Sequence, residues 1–182
     1  MSLNVNDNRP YVPAAVMVKV QDGGRSRSEH KWSDVAWDTL VPLRTNPLLR
    51  TLREGEFLEL VATARQARFK EAEVVSREGT SVEHVLFIVG GRAKAEVSSR
   101  DGAPSKAVVN ILKPGDAIGL LSMVDGAPHS ATVVALEEMN TLAVPIDTMQ
   151  HYLLAHGQWY LVLAEIAVAQ LRTSTDWLQA LI

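Results

Sequence analysis

Gly119-Leu-Leu-Ser-Met-Val-Asp-Gly-Ala-Pro-His-Ser-Ala-Thr-Val-Val-Ala135 is the stretch on which the reading of the fold turns. Its second half opens a short β-type run, Ser130 to Leu136, and the same texture continues on both sides of it. From Phe69 onward the runs are Glu73 to Arg77, His84 to Val89, Arg92 to Ser98, Ala107 to Leu112, Ser130 to Leu136 and Met139 to Val144. Between them fall turn residues: Glu78-Gly79, Gly90-Gly91, Asp101-Gly102-Ala103-Pro104 and Pro114-Gly115-Asp116. Glycine takes positive φ in such turns without strain. Many short strands punctuated in this way predict an antiparallel sandwich or barrel. The third turn reads as a hairpin loop joining the Arg92 and Ala107 strands.

Helical periodicity brackets this β region. Trp32, Val35, Ala36 and Leu40 recur at helical spacing, with Ser33 or Asp34 as a cap and Pro42 as a stop. A second helical piece runs from about Asn46 to Leu52. A third, Glu54 to Ala64, places Phe57, Leu60, Val61 and Ala64 on one face. After the strands, Asp147 is expected to cap a helix with Gln150 reaching back, and Gly157 to end it. The closing segment, Gln158 to Ile182, reads as one long helix. Along it Leu161, Ala164, Val168, Leu171, Thr175, Leu178 and Ile182 alternate at three and four residues, the spacing of a coiled-coil seam. The predicted organisation is an N-terminal extension with a short helix (1–42), a β domain (43–157) and a C-terminal dimerisation helix (158–182). The role of residues 1–31 is not assigned.

The opening stretch resembles the phosphate-binding cassette of cyclic-nucleotide-binding domains, the effector modules of catabolite-activator-type regulators. That pattern reads Gly-Glu-Leu, a short helix, then Arg-Ser-Ala or Arg-Thr-Ala, and Gly119, Leu121, Ser130 and Ala131 match it. Ser76-Arg-Glu-Gly79, Val85-Leu-Phe-Ile-Val-Gly-Gly-Arg92 and Leu112-Lys-Pro-Gly-Asp116 look like the family's successive landmarks, and Asn46 to Leu52 like the approach to its barrel. The resemblance implies a mainly β fold: an antiparallel jelly-roll barrel with N-terminal helices and a long C-terminal helix. It also implies that the closing helix pairs two subunits and shifts with occupancy of the cassette.

Two of the family's polar positions are changed. Its Glu accepts a hydrogen bond from the ribose 2′-hydroxyl and its Arg pairs with the cyclic phosphate; here those positions hold Leu120 and His129. Arg presents a fixed fork of donors to phosphate, whereas imidazole presents one or two and is charged only below about pH 6.5. What remains for an anion is backbone: the N–H groups after Gly119 and those of Ser130 and Ala131. The resemblance therefore implies weak or lost binding of a cyclic nucleotide or other small anion, and no cofactor is assigned. Leu120 fits a pocket reshaped for a less polar ligand or one that binds nothing. His129 fits a surface histidine or a pH-sensitive anion contact. Ser174 and Thr175 fall where the family carries a base-contacting hydroxyl pair, and equally fit a polar patch on the helix. Trp159 and Trp177 fit core or interface better than a pocket wall.

Composition narrows the function classes. Eighteen Lys and Arg against 21 Asp and Glu give a formal net charge of −3, and no clustered basic face offers itself to nucleic acid. The chain has no cysteine, hence no disulfide or thiolate metal site. No apolar run nears the ~18 residues that span a bilayer, and the polar N-terminus lacks the regions of a signal peptide. A cytoplasmic location without membrane or nucleic-acid partners is expected. His151 and His156 are five apart, not the four that put two imidazoles on one helix face. The stretch Glu83 to Gly91 resembles a cupin strand but lacks that family's paired histidines and following carboxylate, so a metal-dependent cupin enzyme is the weakest alternative. The reading is a non-enzymatic regulatory effector and dimerisation module; the alternative is the effector domain of a transcription regulator that binds cyclic AMP or another small ligand.

Overall fold

The computed structural model describes residues 40–98 and 106–179, including helix backbone but not side chains at 174 and 176–179. The expected helix from Trp32, the tip of the Asp101–Pro104 hairpin and the last residues of the closing helix lie outside the described residues. Eight strands form two four-stranded antiparallel sheets. They are β1 (Arg65–Phe69), β2 (Val74–Ser76), β3 (His84–Gly90), β4 (Ala93–Ser98), β5 (Lys106–Leu112), β6 (Ala117–Ile118), β7 (Thr132–Ala135) and β8 (Met139–Pro145). One sheet has the order β1-β8-β3-β6 and the other β2-β7-β4-β5. The mainly β expectation holds, and all six predicted runs are strands.

Strand alternation fills the space between the sheets. Val133 and Ala135 on β7 and Ala93 and Ala95 on β4 meet Ile88, Ile118 and Met139 from the other sheet in one buried cluster. A register shift between Ala95 and Glu96 opposite β5 marks where alternation is broken. Glu96 is consequently buried, its carboxylate bridging Lys94 at 3.0 Å and Lys106 at 2.6 Å.

The helices form a second apolar layer. Short 3-10 turns at Val41–Thr45 and Leu49–Thr51 precede α1 (Glu54–Thr63), which buries Phe57, Leu60 and Val61 as its spacing predicts. Asn46 joins the turns to the barrel: its Oδ1 accepts the Leu48 N–H at 3.0 Å and its Nδ2 donates to the Gly115 carbonyl at 2.9 Å. Gly115 has φ +93°, and a Cβ there would run into Thr45 and the Pro42 carbonyl.

Three helices follow: α2 (Leu120–Asp125), α3 (Ile146–Ala155) and α4 (Gln158–Gln179). The expected Asp147 cap is not formed. α3 starts at Ile146 after Pro145, with no side-chain cap, and Gln150 donates to the Met123 carbonyl at 3.2 Å rather than reaching back. On α4, Trp159 and Leu163 are buried, whereas Leu161, Ala164, Val168, Leu171 and Thr175, five positions of the predicted seam, are exposed. Among the described residues no helix is long and apolar enough to cross a membrane.

Candidate functional site

The cassette hangs between β6 and β7 and is shaped by backbone. Gly119 sits at φ 89°, ψ 3°, where a Cβ would lie 3.0 Å from Val82 Cγ1, 3.3 Å from the His84 carbonyl and 3.6 Å from His129 Cε1. A left-handed turn this crowded accepts only glycine without strain. From it α2 begins, the Met123 N–H donating back to the Gly119 carbonyl at 3.0 Å. Gly126, at φ 68°, ends the helix and donates to Ser122 at 2.9 Å. Asp125 Oδ1 then accepts the Ala127 N–H at 2.9 Å. Within α2, Leu120, Ser122 and Met123 turn inward, while Leu121 and Val124 are exposed.

The far end of the cassette is pinned across the barrel mouth. His129 donates its N–H to the Thr80 carbonyl at 2.9 Å and accepts the Gly79 N–H at 2.8 Å. Ser130 is exposed; Ala131 packs against the inter-sheet cluster. The N–H groups of Ser130 and Ala131 have no backbone partner among the described residues. Two of the backbone donors expected for an anion, those of Ser130 and Ala131, are thus left without a backbone acceptor among the described residues, while that of His129 is spent.

Side-chain chemistry at the two altered positions is sparse. Leu120 is 5% exposed, so it is a core residue as much as a pocket residue. His129 is half-buried, and burial pushes its imidazole below the usual histidine value, toward the neutral form. Neither position supplies a charge near neutral pH.

The remaining candidates lie apart from the cassette in the chain, on α4. Thr175 is exposed and its hydroxyl donates to the Leu171 carbonyl at 2.9 Å, as Thr173 does to Ala169 at 3.1 Å. That bond commits the single proton of the Thr175 hydroxyl and leaves the oxygen's lone pairs for another donor. Ser174 is part of the same helix, its side chain outside the described residues. Trp159 is fully buried, as the core reading holds, and its indole N–H donates to Thr51 Oγ1 at 3.0 Å.

Sequence reasoning gave no account of the α3–α4 junction. There Tyr152, His156 and Trp159 stack, with centroids 5.7–6.1 Å apart. The Tyr152 hydroxyl donates to the Glu56 carbonyl at 3.0 Å, and His156 Nε2 faces Glu56 Oε1 at 3.3 Å. Only helical spacing of aromatics hinted at the stack; nothing local pointed to Glu56.

Comparison with known proteins agrees with this architecture. The chain is 26% identical over 113 residues to the cAMP-dependent protein kinase regulatory subunit of Dictyostelium discoideum, an alignment covering 56% of this chain and 35% of that protein. It thus spans about a third of the length of that relative. The N-terminal domain of a transcriptional regulator from Streptomyces coelicolor superposes with a TM-score of 0.58 at 26% identity, over 75% of this chain and 94% of that one. The Thermus thermophilus catabolite activator protein gives a TM-score of 0.63 at 18% identity, over 75% and 63%, a likeness of fold. The model of the cyclic nucleotide-binding domain matches residues 66–156, which span the barrel from β1 through the cassette to the end of α3. The chain belongs to the cyclic nucleotide-binding domain family.

Proposed function

We propose that this chain is a non-enzymatic regulatory effector and dimerisation module in which cyclic-nucleotide binding is weak or lost. The observation that carries this is the pair Leu120 and His129: one is a buried alkyl group, the other an imidazole held toward neutrality by burial. A ribose acceptor and a bidentate phosphate partner each contribute about 1.5–3 kcal/mol as charged hydrogen bonds. Without both, backbone amides alone carry the anion contact: those after Gly119 and those of Ser130 and Ala131. Calorimetry with cyclic AMP and cyclic GMP tests the proposal, with weak or no heat expected. Leu120→Glu combined with His129→Arg is expected to raise cyclic AMP affinity by at least about 100-fold, short of the full ~3–6 kcal/mol because Leu120 is buried. Submicromolar binding by the unmodified chain would falsify the reading.

Dimerisation belongs to the same proposal. The exposed Leu161, Ala164, Val168 and Leu171 line one side of a 22-residue helix, and a second copy of that helix is the partner their spacing fits. Val168→Glu or Leu171→Glu is expected to give monomers in sedimentation. An unmodified chain that is monomeric at roughly tens of micromolar removes the seam. The module is read as cytoplasmic, and with a net charge of −3 it does not bind duplex DNA itself.

A second reading is favoured by the Streptomyces match, which covers 94% of an N-terminal domain of a transcriptional regulator. In it the chain is the effector part of such a regulator, and cyclic AMP or another small ligand fills the cassette. A metabolite panel in the same calorimeter separates the two readings.

A further inference from the structure

Both ring nitrogens of His156 face oxygens that only accept. Nδ1 lies 3.0 Å from the Tyr152 carbonyl oxygen, which also takes the His156 N–H at 2.9 Å. Nε2 lies 3.3 Å from Glu56 Oε1 on α1. A neutral imidazole carries one N–H and satisfies one of these contacts; an imidazolium carries two and satisfies both. Glu56 is ionised throughout the histidine range. Its Oε2 accepts the Arg53 N–H at 2.8 Å, and that bond is the main reason its carboxyl lies below the usual carboxylate value.

We infer that His156 is a proton-operated latch, whose imidazolium form fastens the root of α4 to α1 and whose neutral form keeps only one of the two contacts. The ring stands at the last turn of α3, directly before α4, stacked on Tyr152 and Trp159. Around it α1 presents the carboxylates of Glu56 and Glu59, with Arg53 at its start. From α3 come the Tyr152 hydroxyl, bonded to the Glu56 carbonyl, and His151, edge-on to Tyr152 at 6.5 Å. On the α4 side Trp159 has its indole N–H engaged by Thr51. The latch is independent of what the cassette binds, and it acts on the helix that carries the exposed seam.

Nuclear magnetic resonance on the full chain tests this, following the His156 ring and the Trp159 indole N–H from about pH 5 to about pH 8. Gln is also used at the third position of capped helices, so Glu56→Gln preserves the start of α1. The expected result is a Trp159 indole signal that moves with His156 titration. In Glu56→Gln the His156 midpoint is expected to fall by about half a unit or more, while that of the exposed His151 stays in place. His156→Gln keeps a side-chain donor without a titration, and is expected to abolish the movement at Trp159. An unchanged His156 midpoint in Glu56→Gln, or a Trp159 signal indifferent to pH in the unmodified chain, overturns the latch.

Discussion

At the cassette the shape is held by backbone: two left-handed glycines, a helix of one and a half turns, and a bridge from His129 to Gly79 and Thr80. At the α3–α4 junction it is held by side chains: a buried indole, two stacked rings and hydrogen bonds from Tyr152 and Trp159 to α1 and the turn before it. Two charged ligand contacts can be absent from the cassette while its path persists, because the path never depended on those side chains. The junction has no such independence. Its residues are the contacts, so substitutions there act on stability first.

The largest expected effect sharpens this contrast. Trp159→Ala is expected to cost about 3–5 kcal/mol in denaturant unfolding, since it empties a fully buried site and strips a hydrogen bond from Thr51. A cost below that of any cassette substitution would break the comparison. Gly119→Ala comes next, at about 1–3 kcal/mol, because alanine must hold φ 89° with its Cβ against Val82 and the His84 carbonyl. If Gly119→Ala is neutral, backbone is not what shapes the cassette.

The smallest effect is a pH dependence at His129. Burial lowers its proton affinity in the folded chain, so between the folded value and the ordinary value of about 6.5 the unfolded chain binds more protons. Stability from this group is therefore present above about pH 6.5 and lost as the pH falls through that window. His129→Gln is expected to flatten this part of the profile in thermal melts between about pH 5 and about pH 7. An unaltered slope would show that the imidazole is as well solvated folded as unfolded.

Several features were legible because they are periodic or local. Short β-type runs bounded by turn residues mark β3, β4, β7 and β8, and spacing of three and four marks α1 and α4. β1 escaped because Arg65-Gln-Ala-Arg-Phe69 is a largely polar edge strand, paired only with β8, and β6 because two residues carry no period. At the cassette, residue identity was enough to show which polar groups are missing. Whether Leu120 faces solvent or core was not readable, since a six-residue helix presents both.

The sequence by itself determined six of the eight strands, the helices α1 and α4, the glycine-framed cassette and the apolar stripe along the last helix, because each follows from residue type and spacing over a few positions. Only the tertiary structure decided that Gln150 serves Met123 rather than capping its own helix, that Leu120 is buried, and that His156 meets Glu56 across 100 residues of chain. Those outcomes depend on which surfaces the two sheets and the helices bring together. A hydrogen-bond partner far away in sequence leaves no periodic trace in either segment, and only packing selects it over the local alternative.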